Sequence, residues 1–313
     1  VTTEQARQCV ARGRAYDLLG TAMLDGLRAD RLEHFRAVPA LSPHIDHPHV
    51  PDRWAAAHYT AFSLEIPPFE SAFLSQAGQM DDGDSVRAAH ALGGFSGART
   101  DVPADHAGTA LQYLSWLCAV ESDAIRDGQA DAATQAQVLT RDFIDAHLGR
   151  WLSTLAVGLQ TTPGIHPFFA EAASLSAELL QTHRAALSPS PQPWALPEVG
   201  DPLADPQTRL ADLARHLCTP SLAGGVLSRG GLAGVGRATA IPKGFGSRAL
   251  MLTNLMGSAA ELGQLSEVLS ALKAVVHTWT QAHRALGADI WANRAAQTED
   301  LLVRMNEAAA LRE

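Results

Sequence analysis

The sequence predicts an all-α protein, and three observations carry that prediction. Apolar residues recur at steps of three and four along most of the chain. Alternating Val, Ile and Thr runs and Asn-Gly turns, the marks of strands and hairpins, are nearly absent. Helix-starting Ser, Thr or Asp and helix-ending Gly or Pro fall between the periodic segments. At 313 residues, 46% hydrophobic and 18% charged, the chain has an ordinary globular composition and the length for two compact parts.

In chain order, Thr2 and Gln5 read as a capping box. The stripe that follows, Cys9, Gly13, Tyr16, Gly20, Met23 and Leu27, forms one packing face. "EIPPFESAFL" (65–74) sets Glu65 and Glu70 among a double proline and two phenylalanines, a composition that ends one helix and starts another. In "VPADHAGTALQYLSWL", Pro103 and Asp105 precede an amphipathic helix bearing Leu111, Leu114 and Cys118, with Asp105 placed to cap it. Phe143, His147, Trp151, Leu155 and Leu159 repeat every four residues, in a helix that Thr140 is placed to cap. The proline-dense stretch 188–205 reads as a linker or extended strap between two helical parts, 1–187 and 206–313. Asp205 and Pro206 have the chemistry of an N-cap and first helical residue, with Leu210, Leu213 and Leu217 on one face. The glycine-dense stretch around "GGLAGVGRA" (230–238) reads as a loop allowing close helix approach. Ser247 then caps a helix that Gly263 ends. Ser266 opens another carrying Leu269, Leu272, Val276, Trp279 and His283, and "TEDLLVRMNEAAALRE" is a last amphipathic helix.

Composition excludes several functions. A formal charge of −9 and a pI near 5.8 argue against a general nucleic-acid or anionic-membrane surface. Cys9, Cys118 and Cys218 lie far apart without CxxC spacing, which argues against zinc ribbons, redox motifs and disulfide frameworks. No basic n-region leads into an apolar core, and no window of about 18 apolar residues occurs, so neither export nor stable membrane insertion is expected. The expected location is a reduced cytoplasm. His44, Asp46, His47 and His49 have metal-ligand chemistry, but they sit in a proline-broken run, off the helical spacing that aims ligands together. The glycine run lacks the lysine and hydroxyl of a phosphate loop, and no strand precedes it. Arg229, Arg237, Lys243 and Arg248 make it the most basic neighbourhood, suited to an acidic partner or to the acidic first half. No GxSxG elbow or cysteine–histidine pairing marks a nucleophile, so no enzyme is expected and no cofactor is assigned.

"RAYDLLGTAML", "EIPPFESAF", "VPADHAGTALQYLSWL" and "FIDAHLGRWLSTLAVGL" follow in this order with loop-sized gaps. The series resembles the TorD/DmsD/NarJ family of redox-enzyme maturation chaperones over residues 3–187, with the remainder as a C-terminal helical extension. The matching elements are Pro68, Phe69 and Glu70, then Pro103, Asp105 and His106, and then His147, Leu148, Trp151 and Leu152. Two departures stand out: Ala110 where the family often has an acid, and Phe69 where it has tyrosine. The resemblance implies an all-helical, cytoplasmic chaperone that binds the twin-arginine signal peptide, or the body, of a client molybdopterin oxidoreductase until cofactor insertion. A receptor for such a peptide needs an apolar groove with carboxylates at its rim to hold the guanidiniums. Glu65, Glu70 and Asp105 are the candidate rim, Phe69, Phe73, Tyr113 and Leu114 the candidate groove, and Pro68, Pro103 and His106 complete the peptide-binding set. A homodimer that exchanges helices about the proline-rich strap fits such a fold. The rival readings are a metal-dependent enzyme using His44–His49 and a non-catalytic helical adaptor docking through its basic glycine stretch.

Overall fold

The computed structural model describes residues 3–75, 83–97, 101–189 and 195–310. Among these residues every regular element is helical, as the periodicity predicts. The first part runs α1 (Thr3–Asp25), α2 (Leu32–Arg36), α3 (Pro51–Tyr59), a π-helical segment (Thr60–Glu65) and α4 (Glu70–Leu74). It continues with α5 (Asp84–Leu92), α6 (Ala107–Arg126), α7 (Ala130–Ala146), α8 (Leu152–Thr161) and α9 (Pro167–Ala185). The second part holds α10 (Leu210–Cys218), α11 (Pro220–Ala223), α12 (Arg229–Thr239), α13 (Arg248–Glu261), α14 (Leu265–Ala285) and α15 (Asp289–Ala310).

Helices α1 and α6 pack closely because glycines remove side chains at the crossing. A Cβ built on Gly20 would lie 2.9 Å from the Gly108 carbonyl, and one on Gly108 2.8 Å from the Gly20 carbonyl. The whole stripe Cys9, Gly13, Tyr16, Gly20, Met23 and Leu27 is buried, as the sequence predicts. Thr2, the other half of the expected capping box, and residues 190–194 of the strap lie outside the described residues.

Four local expectations are corrected. Thr140 is inside α7, not at its start, and its hydroxyl donates back to the Ala136 carbonyl (2.8 Å). The four-residue repeat from Phe143 to Leu159 does not continue as one helix. His147 (φ −126°, ψ −97°) breaks it, and a 3₁₀ turn over Leu148–Arg150 leads into α8. Asp205–Pro206 does not begin α10: the Asp205 carboxylate takes the Gln207 N–H in a short turn, and Arg209 holds the cap position. The glycine run is mostly helix, α12, capped by the Ser228 side chain, which accepts from Gly231 N (3.0 Å). Ser247 and Gly263 behave as read: the Ser247 hydroxyl accepts from Leu250 N (3.2 Å), and Gly263 follows α13 with φ 66°. Ser266 stands one residue inside α14, which Gln264 precedes.

Two apolar cores form, one in each part, and side chains cross between them. Val226 and Trp291, from the second part, belong to the first core. Val157, from α8, belongs to the second. Trp291 is fully buried and donates its indole N–H to the Arg150 carbonyl at 2.7 Å.

Candidate functional site

The two proline-containing stretches meet. Phe69 and His106 form an antiparallel bridge, with Glu70 N donating to the Asp105 carbonyl (3.0 Å) and Ala107 N to the Pro68 carbonyl (2.8 Å). Proline explains the pairing: each Pro ends the preceding segment and leaves a short extended stretch whose backbone groups need partners. The rings follow the backbone, with Phe69 edge-on to His106 at 5.2 Å.

Capping at this junction is exchanged. Asp105 does not cap the helix it precedes. His106 does, its Nδ1 accepting from Gly108 N (3.0 Å). The Asp105 carboxylate crosses to the other stretch, where Oδ2 accepts from Ser71 N (3.1 Å) and Ser71 Oγ (2.7 Å) in the first turn of α4. Glu70 turns inward to His147 Nδ1 (3.1 Å), so the break after α7 positions this histidine. Phe73 stacks on Trp151 at 5.1 Å and 26°. Three of the stretches quoted for the resemblance are thus tied together by residues 34 to 77 positions apart.

Of the ten predicted peptide-binding residues, Pro68, Glu70, Phe73, Asp105, His106, Tyr113 and Leu114 are buried. Glu65 and Phe69 are half-buried, and Pro103 is exposed. The structure therefore corrects the picture of Glu70 and Asp105 as open rim carboxylates, since both face inward onto partners. A carboxylate removed from water requires such bonds. Tyr113 and Leu114 face the core, the Tyr113 hydroxyl donating to the Ala89 carbonyl (2.9 Å) and its ring meeting Phe143 at 4.7 Å. Burial raises the Tyr113 hydroxyl to about 12. Glu65 reaches the second part, where its Oε2 accepts from Gly230 N (2.9 Å) near the start of α12.

His44, Asp46, His47 and His49 do not converge. Asp46 pairs with Arg53 (3.0 Å), His47 Nδ1 meets Arg36 Nη2 (2.9 Å), and His49 Nε2 meets the Leu27 carbonyl (3.0 Å). Among the described residues no group of three or more potential ligands is placed to hold a metal ion.

Cavities lie elsewhere. One, of about 520 Å³, opens between the α7–α8 corner, α9 and the α14–α15 corner. Ile144, Leu180, Ile290 and Trp291 line it, along with the Asp145–Arg184 ion pair, whose two contacts measure 2.5 and 2.9 Å. None of the ten predicted residues lines it, nor the cavities of about 510 and 330 Å³. Sequence reasoning missed this cleft. Its walls come from segments more than a hundred residues apart, and only the exposed Ile290 gives a local signal.

Residues 33–157 match the family described as nitrate reductase delta subunit. The chain is 38% identical over 88 residues to the chlorate reductase assembly chaperone protein of Ideonella dechloratans, covering 28% of this chain and 43% of that protein. It is 36% identical over 83 residues to the selenate reductase assembly chaperone protein of Thauera selenatis, covering 26% of this chain and 40% of that protein. Each match thus spans less than half of the relative's length. No solved structure matches. The resemblance to TorD-like assembly chaperones is borne out by these similarities.

Proposed function

We propose that this chain is a non-catalytic, cytoplasmic assembly chaperone that holds the twin-arginine leader, or the cofactor-free body, of a client molybdopterin oxidoreductase. The observation that carries this reading is the closed junction around Pro68 and Pro103, within the segment that matches the delta-subunit family. Its buried carboxylates hold two turns and a helix corner in fixed relation, which supports a preformed surface for another chain. The names of the two assembly-chaperone relatives support the same reading.

In this reading the ten predicted residues divide by exposure. The seven buried ones maintain the junction's shape, while Glu65, Phe69 and Pro103 face the client. Glu65 is suited to a guanidinium, which a carboxylate can hold through two parallel bonds. The apolar cleft beside Ile290 and Trp291 favours a second contact, for the helix-prone stretch that follows the arginines.

Fluorescence anisotropy with a synthetic peptide, two arginines followed by an apolar helix-forming segment, tests this proposal. Binding is expected, with Phe69→Ser and Glu65→Gln each weakening it several-fold in protein that circular dichroism shows to be folded. Absence of binding, or equal affinity for a peptide with both arginines replaced by alanine, overturns it.

A further inference from the structure

Between Asp212 and Glu261 the chain carries no carboxylate, yet it holds Arg215, Arg229, Arg237, Lys243 and Arg248, in a protein of formal charge −9. Two of these five, Arg237 and Lys243, flank one exposed corner. Helix α12 ends at Ala240, a non-glycine residue with φ 57°, and Gly244 (φ 69°) and Gly246 (φ 123°) follow. Three left-handed residues in seven turn the chain sharply. Phe245, between the two glycines, is 92% exposed, and Leu250, whose side chain lies against Gly246, is 48% exposed. Arg237 occupies the last turn of α12, and Lys243 N lies 3.8 Å from a Cβ built on its neighbour Gly236. Arg229 reaches Met251 Sδ (3.6 Å), and Arg248 donates to the Leu227 carbonyl (3.4 Å) while also feeling the charge of Glu65.

We propose that this corner makes a peripheral contact with an anionic lipid bilayer. Phe245 and Leu250 enter the boundary between headgroups and acyl chains, and Arg237 and Lys243 meet lipid phosphates. Aromatic rings favour that boundary, and an apolar tip within a basic surround is the chemistry of surface-bound proteins. One ring and one leucine tip are too little for the apolar centre of a stable protein interface, which buries roughly 800 Å² per partner. They suffice for shallow insertion when cations add attraction. Whole-chain charge argues against a membrane surface, but it averages this corner with the rest. The acidic remainder orients the contact, because it is repelled by the same lipids. The attachment is weak, reversible and screened by salt.

Cosedimentation of the full chain with vesicles tests the proposal, comparing pure phosphatidylcholine with a phosphatidylcholine–phosphatidylglycerol mixture. Binding is expected only to the mixture and is lost at high salt. Phe245→Ser, and separately Arg237→Glu with Lys243→Glu, are expected to weaken it at least ~10-fold, with melting temperatures unchanged because these side chains are exposed or half-buried at the surface. No binding to the anionic vesicles overturns the proposal, as does binding that neither variant affects. It is equally overturned if Phe245→Ser releases a co-purifying protein while the chain ignores vesicles, which assigns the corner to a protein partner.

Discussion

Asp105 shows most clearly how a residue's type and its partner separate. Its acidity beside a proline is readable from the sequence; that it serves Ser71, 34 residues away, is not, because the exchange depends on two turns meeting. Asp105→Ala is therefore expected to act first on stability, lowering it by about 1–3 kcal/mol through loss of the Ser71 bonds in chemical denaturation. An unchanged denaturation midpoint would show that these bonds contribute nothing. Histidines give a second prediction at this scale. Burial depresses His90 to about 4, with the charge of His147 adding to the effect, and His183 to about 3, with Arg12 adding. Burial likewise depresses His283 to about 4, opposed by its bond to the Gly224 carbonyl. All three are 3% exposed or less. Because the folded values lie below that of the unfolded chain, the unfolded state takes up more protons in acid. Their stabilising contribution is complete above about pH 6.5 and falls towards pH 3–4, by at most ~1.4 kcal/mol per pH unit for each histidine. Urea midpoints at pH 7.5 and 5.0 check this, with a clear drop at the lower pH expected and equal midpoints contradicting neutral burial.

Helix existence was legible almost throughout, since burial faces impose the period of the α-helix whatever the tertiary context. Boundaries were less so. The apolar repeat runs through His147 without interruption, because the break reorients the chain while keeping the same residues inside. Nor could spacing show that the run at 230–238 is helical, since glycine weakens helices without forbidding them. Glycine also separates two kinds of position. Gly108 lies at the α1–α6 crossing, where an added Cβ would meet Leu24 Cγ at 2.6 Å as well as the Gly20 carbonyl. Gly234, inside α12, has open space around its missing side chain. Gly108→Ala is expected to destabilise by about 1–3 kcal/mol through overpacking. Gly234→Ala is expected to stabilise by up to ~1 kcal/mol through helix propensity. Thermal melts of the pair decide the matter, and shifts of the same sign would refute the close-crossing account of α1 and α6.

The division at 188–205 follows composition, whereas packing crosses it. Trp291 enters the first core, Glu65 receives Gly230 N, and Gln181 donates to the Leu286 carbonyl (2.8 Å). None of these long-range contacts leaves a local trace, so sequence alone could mark the strap without showing how the parts dock. Trp291→Ala is expected to cost about 3–5 kcal/mol, and the full chain is expected to unfold in one calorimetric transition; two resolved transitions would contradict a shared core. The organisation that results, a locked junction in the first part buttressed by the second, suits the proposed role of holding another protein. The most direct test of that role is to purify the untagged full-length protein from cells grown on the client's substrate and identify what accompanies it. The account predicts a molybdopterin oxidoreductase, lacking its cofactor and carrying paired arginines near its start. Recovery of the chain alone, or with only the mature, cofactor-loaded enzyme, would contradict it.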